Sequence, residues 1–204
     1  MKIIGVTGGV GSGKSKLIHY ISSNYNAFPI YADLVGHELQ RKGNINYDII
    51  VDNFGTDILD NMGEIDSSKL RHICFSEPKK LEQIYDLTKE NILKEIEKTI
   101  NLYKEIDLCD IIILESAILF ESNLNKYCDD IWYIYVHKEE RIKRIMENRN
   151  YTKEMCEGLI SKQLSDEQFK SRCNKIIDNS KNIDFAEKNI DDILQKCYNI
   201  RKNL

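Results

Sequence analysis

Residues 2–21 read KIIGVTGGVGSGKSKLIHYI, and three backbone preferences follow one another within them. Lys2 to Thr7 is a short apolar, β-leaning run. Gly8 to Gly13 is rich in glycine, which can take up turns that other residues resist. From Lys14 onward, Leu17, Ile18 and Ile21 recur at helical spacing. Strand, loop and helix in that order are the setting a phosphate loop requires, and Gly8-x-x-x-x-Gly13-Lys14-Ser15 satisfies its pattern. The glycines let successive N–H groups turn inward, and the helix start adds the positive end of its dipole. Lys14 is expected to reach the β- and γ-phosphates as a mobile cation, and the Ser15 hydroxyl to ligate Mg²⁺. The grip on ATP is thus expected over Gly9, Val10, Gly11, Ser12, Gly13, Lys14, Ser15 and Lys16.

Working outward, Phe28 to Ala32 reads as a second strand ending at Asp33, with a helix from Leu34 to Gln40. The stretch from about Asn44 to Lys104 is helical in pattern, with no convincing strand. Asp110 to Glu115 and Ile131 to Val136 are nearly continuous apolar runs, and Lys175 to Ile177 makes a short fifth strand. Apolar strands separated by helices point to a parallel sheet buried on both faces. The closing helix, Phe185 to Tyr198, places Ile190, Ile193, Leu194 and Cys197 on its inner face. The fold class expected is therefore α/β: a three-layer α/β/α P-loop NTPase fold on a five-stranded parallel sheet.

The chain has 204 residues, 42% apolar and 30% charged, enough for one domain with an inserted helical region. A formal net charge of −4 argues against nucleic acid as a partner, since that binding needs a basic surface. The apolar runs fall far short of the roughly 20 residues that cross a bilayer, and no signal-peptide pattern opens the chain. The six cysteines show no C-x-x-C pair and no histidine at zinc-ligand spacing, so they read as reduced thiols in a cytoplasmic protein. His19, His37, His72 and His137 stand apart, and Trp132 reads as core.

Phosphoryl transfer needs a carboxylate near the acceptor hydroxyl, and an open parallel sheet offers that place at a strand's carboxyl end. Asp33 stands there, although the N-cap of the following helix is an equally good use of an aspartate. Glu115 closes the buried run DIIILE and is expected to orient the metal's water. In HKEERIKRIMENRN, residues 137–150, Arg141, Arg144 and Asn148 fall within about a 60° arc of a helix. That face can close over a nucleotide or simply be solvated.

The ordered motifs TGGVGSGKS, YADLVGHEL, NFGTDILDNMGEIDSSKLRHICFSEP, LESAILFES, LISKQ and CNKIIDNS resemble those of the dephospho-coenzyme A kinase family nearly end to end. The resemblance implies a core (1–33, 105–137, 173–204), a helical substrate region (about 34–104) and a lid (about 138–172). It implies ATP-dependent phosphorylation of the 3′-hydroxyl of dephospho-CoA. Asp33 would be proton acceptor and substrate ligand, with Arg71, Glu115, Leu119, Phe120 and Glu121 on the acceptor side. Arg144 would serve catalysis from the lid, and Asn179 would sit near adenine. Departures from the family pattern are Tyr31 for the first Asp of Asp-Ala-Asp, Ala117 for proline, and Asn148 for a second lid arginine. Cys173-Asn174 replaces Ala-Asp, and no His-Pro pair occurs between Leu81 and Asn91. The alternative on the same fold is a nucleoside or nucleoside-monophosphate kinase. A guanine-nucleotide switch is disfavoured because NKYC at 125–128 lacks the aspartate of its base-reading motif. An inactive nucleotide-binding scaffold is the third reading.

Overall fold

The computed structural model describes residues 1–149 and 151–203, apart from the side chains of Phe75, Pro78 and Leu81. Asn150, which falls within the expected lid span, lies outside the described residues. In chain order the elements are β1 (Lys2–Thr7), α1 (Lys14–Asn24), β2 (Ala27–Tyr31), α2 (Ala32–Leu39), α3 (Ile45–Phe54), α4 (Ser67–Ser76) and α5 (Pro78–Ile106). There follow β3 (Ile111–Glu115), β4 (Asp130–Tyr135), α6 (Lys138–Arg149), α7 (Lys153–Ser161), α8 (Asp166–Arg172), β5 (Lys175–Asp178) and α9 (Ile183–Tyr198). The chain forms two compact units, one from Met1–Ile30 with Tyr103–Leu204 and one from Tyr31–Leu102.

The first unit is organised by a five-stranded sheet in the order β2-β3-β1-β4-β5, with helices on both sides. The β1–β3, β1–β4 and β4–β5 pairs are parallel. Ile111, Ile112, Ile113 and Leu114 are all fully buried, which happens only when both faces of a strand are covered. Ile3, Ile4 and Val6 of β1 and Trp132 and Ile134 of β4 are buried beside them. Each such side chain taken from water contributes roughly 1.5–3 kcal/mol. Because β1 and β3 run parallel with Val6 opposite Glu115, the loop after β1 and the acid ending β3 emerge at the same sheet edge.

On α1 the buried stripe is Leu17, Ile18 and Ile21, as its spacing predicts. On α9 it is Ala186, Ile190 and Leu194, and Cys197 is exposed. The expected inner face was therefore rotated: Ala186, four residues before Ile190, sets the stripe. Cys197 is one of six free cysteines.

The second unit is helical and has its own core. Ile50, Ile58 and Ile84 are buried together, with Val51, Phe54, Leu59, Ile65, Leu70, Ile73 and Cys74 packed around them. The NFGTDILDNMGEID stretch is a folding device. Asp60 Oδ1 accepts from the N–H groups of Met62 and Glu64 at 2.8 and 2.9 Å. Asp66 caps α4 by accepting from Ser68 and Lys69. The second strand ends at Tyr31, not Ala32, and α2 begins at Ala32 instead of Leu34. Tyr31 thus occupies the N-cap with no side-chain cap bond, and Asp33 lies inside the first turn. The capping use of Asp33 is overturned. Its carboxylate is exposed and placed where a helix dipole favours negative charge.

Candidate phosphate-binding site

The loop that joins β1 to α1 is shaped by its glycines. Gly11 and Gly13 have φ of 81° and 85°, values that side chains with a Cβ rarely adopt. The neighbours are also close: a Cβ on Gly8 would lie 2.6 Å from the carbonyl oxygen of Ile134, and one on Gly13 2.6 Å from Asn179 Nδ2. The loop closes on itself through Ser12 N–H to Gly9 O at 3.1 Å, and α1 starts with Lys16 N–H to Gly13 O at 3.1 Å. A helix beginning at this point directs its N-terminal N–H groups and dipole toward any anion in the loop. The hydroxyls of Thr7 and Ser12 are buried and without hydrogen-bond partners. Ser15 and Lys16 are exposed at the helix start.

Lys14 is folded back over this loop. Its Nζ donates to Gly8 O at 2.8 Å and lies 3.6 Å from Glu115 Oε1, with the two side chains only 11% and 12% exposed. A lysine and a carboxylate thus meet at the sheet edge predicted for both. An entering triphosphate offers Lys14 a stronger partner than one carboxylate and a carbonyl.

Behind the loop stands α6. Arg141 is only 4% exposed. Its Nε donates to Val10 O at 3.1 Å and its guanidinium NH2 to Gln163 Oε1 at 2.8 Å. Gln163 Oε1 also accepts from Val10 N–H at 3.0 Å. Burial draws the Arg141 guanidinium below its ordinary pKa, against the opposing influence of Tyr133 and Asp166. Arg144 donates from Nε to Glu140 at 2.9 Å and from its NH2 to Asn179 O at 3.0 Å. Asn179, 4% exposed, donates from Nδ2 to Ser12 O at 2.9 Å. Asn148 turns back to Arg144 O at 2.6 Å. The basic face drawn from the sequence is therefore divided. Arg141 is buried against the loop, Arg144 is pinned beside it, and Asn148 serves its own helix.

The remaining predicted residues are dispersed. Leu119 is fully buried, and a Cβ on Gly5 would lie 3.0 Å from its Cδ2. Phe120 is half-buried, with the Arg172 guanidinium 5.6 Å from its ring centre, and Glu121 is exposed. Asp33 and Arg71 are exposed residues of the helical unit, on α2 and α4. Beneath β1, burial pushes the Cys128 thiol up to about 12, with Asp129 adding to the shift, so it stays a neutral packing group. Among the described residues no cluster of three or more His, Cys, Asp or Glu forms a ready metal site. Sequence reasoning missed the hold of Arg141 on Val10. The available signal was its position four residues before Ile145, on the stripe that packs inward.

The family model for dephospho-CoA kinase matches residues 2–184. A dephospho-CoA kinase of Carboxydothermus hydrogenoformans is 34% identical over 196 residues, covering 96% of this chain and 94% of that protein. One of Fusobacterium nucleatum is 33% identical, covering 93% and 95%. In fold, the chain is similar to the solved dephospho-CoA kinase from Campylobacter jejuni, with a TM-score of 0.71 at 20% identity and 96% of each chain covered.

Proposed function

The chain belongs to the dephospho-CoA kinase family, and from that premise we propose that it transfers the terminal phosphoryl group of ATP to the 3′-hydroxyl of dephospho-CoA, forming CoA. One observation carries the reading: the family match runs across residues 2–184 and includes a loop whose lysine is held over it by Gly8 O and Glu115. The loop amides and the start of α1 grip the triphosphate. Lys14 leaves Gly8 O and Glu115 for the β- and γ-phosphates. Arg144 adds positive charge to the transferring group, and Asn179 is held beside the nucleotide. Asp33 accepts the proton of the acceptor hydroxyl, the role that general-base catalysis in such transfers requires. Arg71, Phe120 and Glu121 are assigned to the acceptor side.

Mg²⁺ fits the donors present. The Ser15 hydroxyl and the Glu115 carboxylate are hard oxygen ligands, and this ion commonly takes one or two protein groups and completes its shell with water and phosphate oxygens. When bound it would neutralise phosphate charge. The compartment we assign is the cytoplasm, a setting that keeps thiols such as these six reduced.

The test is an ATP-consumption assay with a panel of acceptors: dephospho-CoA, nucleosides and nucleoside monophosphates. Dephospho-CoA is expected to give the highest kcat/KM. A nucleoside or nucleoside monophosphate that exceeds it would move the assignment to a different kinase on the same fold.

A further inference from the structure

Arg141 is nearly fully buried, yet its hydrogen-bond partners are two neutral oxygens, Val10 O and Gln163 Oε1. Burying a guanidinium costs free energy that neutral partners offset only in part, so this arginine needs a reason for its place. Gln163 Oε1 bonds the N–H of the same Val10. Arg141 and Gln163 therefore hold both polar groups of one loop residue and hold each other. They lie 22 residues apart, on α6 and just after α7, and reach back 131 and 153 residues to Val10.

The loop is built around this grip. A side chain on Gly9 would overlap the Arg141 guanidinium, and one on Gly11 would lie 2.9 Å from the Arg141 carbonyl oxygen. A side chain at Gly9 would therefore displace the Arg141 grip, and one at Gly11 would press on the backbone of α6.

We infer that Arg141, with Gln163, is a positioning residue that fixes the Val10 peptide and so sets the phosphate loop in its anion-accepting shape before nucleotide arrives. It touches loop backbone and acts on ATP through it. Ordering a loop beforehand removes that cost from binding. The inference rests on the reading of this loop as the ATP site.

The experiment measures ATP affinity by calorimetry alongside steady-state KM values, for the wild-type chain, Arg141→Met, Gln163→Leu and the double variant. Each single variant is expected to weaken ATP binding and raise the KM for ATP about tenfold, the scale of one lost charge-assisted bond. The KM for dephospho-CoA should stay within about twofold, a split that general loosening of the fold would not produce. Because both side chains act on one peptide, the double variant should be no weaker than the weaker single variant, within about twofold. ATP affinity unchanged in a folded Arg141→Met chain would overturn the inference alone. Should Arg141→Met fail to fold, Gln163→Leu at its half-buried site decides in the same way. Fully additive losses would also overturn it. A wild-type chain that binds no ATP would overturn it together with the functional reading.

Discussion

Lys14 and Asp33 answer different questions about the same reaction, and substituting each separates them. Lys14 has a carboxylate within 3.6 Å and a carbonyl at 2.8 Å, so its charge is already directed at the loop. Lys14→Met is expected to lower kcat by about 10²–10³, the range for losing one charge-stabilising group in a transfer, and to weaken ATP binding with it. Asp33 is exposed on the first turn of α2 and has no capping bond to lose. Asp33→Asn should therefore leave the urea midpoint within experimental error and ATP affinity intact while kcat with dephospho-CoA falls by about 10²–10⁴. Undiminished turnover would remove Asp33 from the mechanism. The glycine loop between β1 and α1 was legible because its pattern is written in eight consecutive residues, Gly8 to Ser15. Arg141, Gln163 and the Asn179–Ser12 bond were not, because each joins positions more than a hundred residues apart once the loop is included.

Elements were legible in kind and blurred at their ends. All five strands stand near the short apolar runs that predicted them, most plainly at β3, where Ile111 to Leu114 are buried on both faces. The ends depend on single hydrogen bonds, and a pattern of apolar residues does not carry them. Tyr31 holds the cap position that an aspartate two residues later would ordinarily suit better. At α4 the aspartate does cap, and Asp66→Ala is expected to cost about 1 kcal/mol, read as a lower urea midpoint. A second element-scale test concerns α9. Its Asp191 accepts from Tyr20 and Tyr25 of the α1 region at 2.8 and 2.7 Å and pairs with Lys202 at 2.7 Å. Burial alone would raise the Asp191 pKa, but the bonds from Lys202, Tyr25 and Tyr20 outweigh it and hold the pKa below its ordinary value. A carboxylate lowered on folding contributes stability above its unfolded pKa and loses it as pH falls through the folded one. Acid unfolding followed by circular dichroism should therefore find the wild-type chain losing the clasp's contribution as pH falls below the ordinary aspartate range toward the lowered pKa of Asp191. Asp191→Asn should lower stability at neutral pH and flatten its loss below about pH 4; an unchanged acid profile would count against the clasp.

For the whole chain, the two units predict a selective response to nucleotide. The loop, its lysine and the α6 grip all belong to Met1–Ile30 with Tyr103–Leu204, whereas Tyr31–Leu102 has a core of its own. Trp132, the single tryptophan, is fully buried in β4 and stands in register with Val6 of β1, one residue from the start of the loop junction. Its emission therefore reports the unit that holds the loop. A ligand that binds only the folded state at a hundred times its Kd adds about 2.7 kcal/mol, which for a chain of this size raises the midpoint by roughly 5–10 °C. The Trp132 transition is expected to move by that amount with saturating ATP and to stay in place in Lys14→Met at the same concentration. Far-UV circular dichroism adds the discriminating view, because it weights helices throughout the chain. If both signals shift together, the units unfold as one and loop binding stabilises the entire fold. If a helical transition stays fixed while Trp132 moves, residues 31–102 melt independently of the nucleotide site. A Trp132 midpoint indifferent to ATP would mean that the loop does not hold nucleotide in the native chain, and the kinase reading would fall with it.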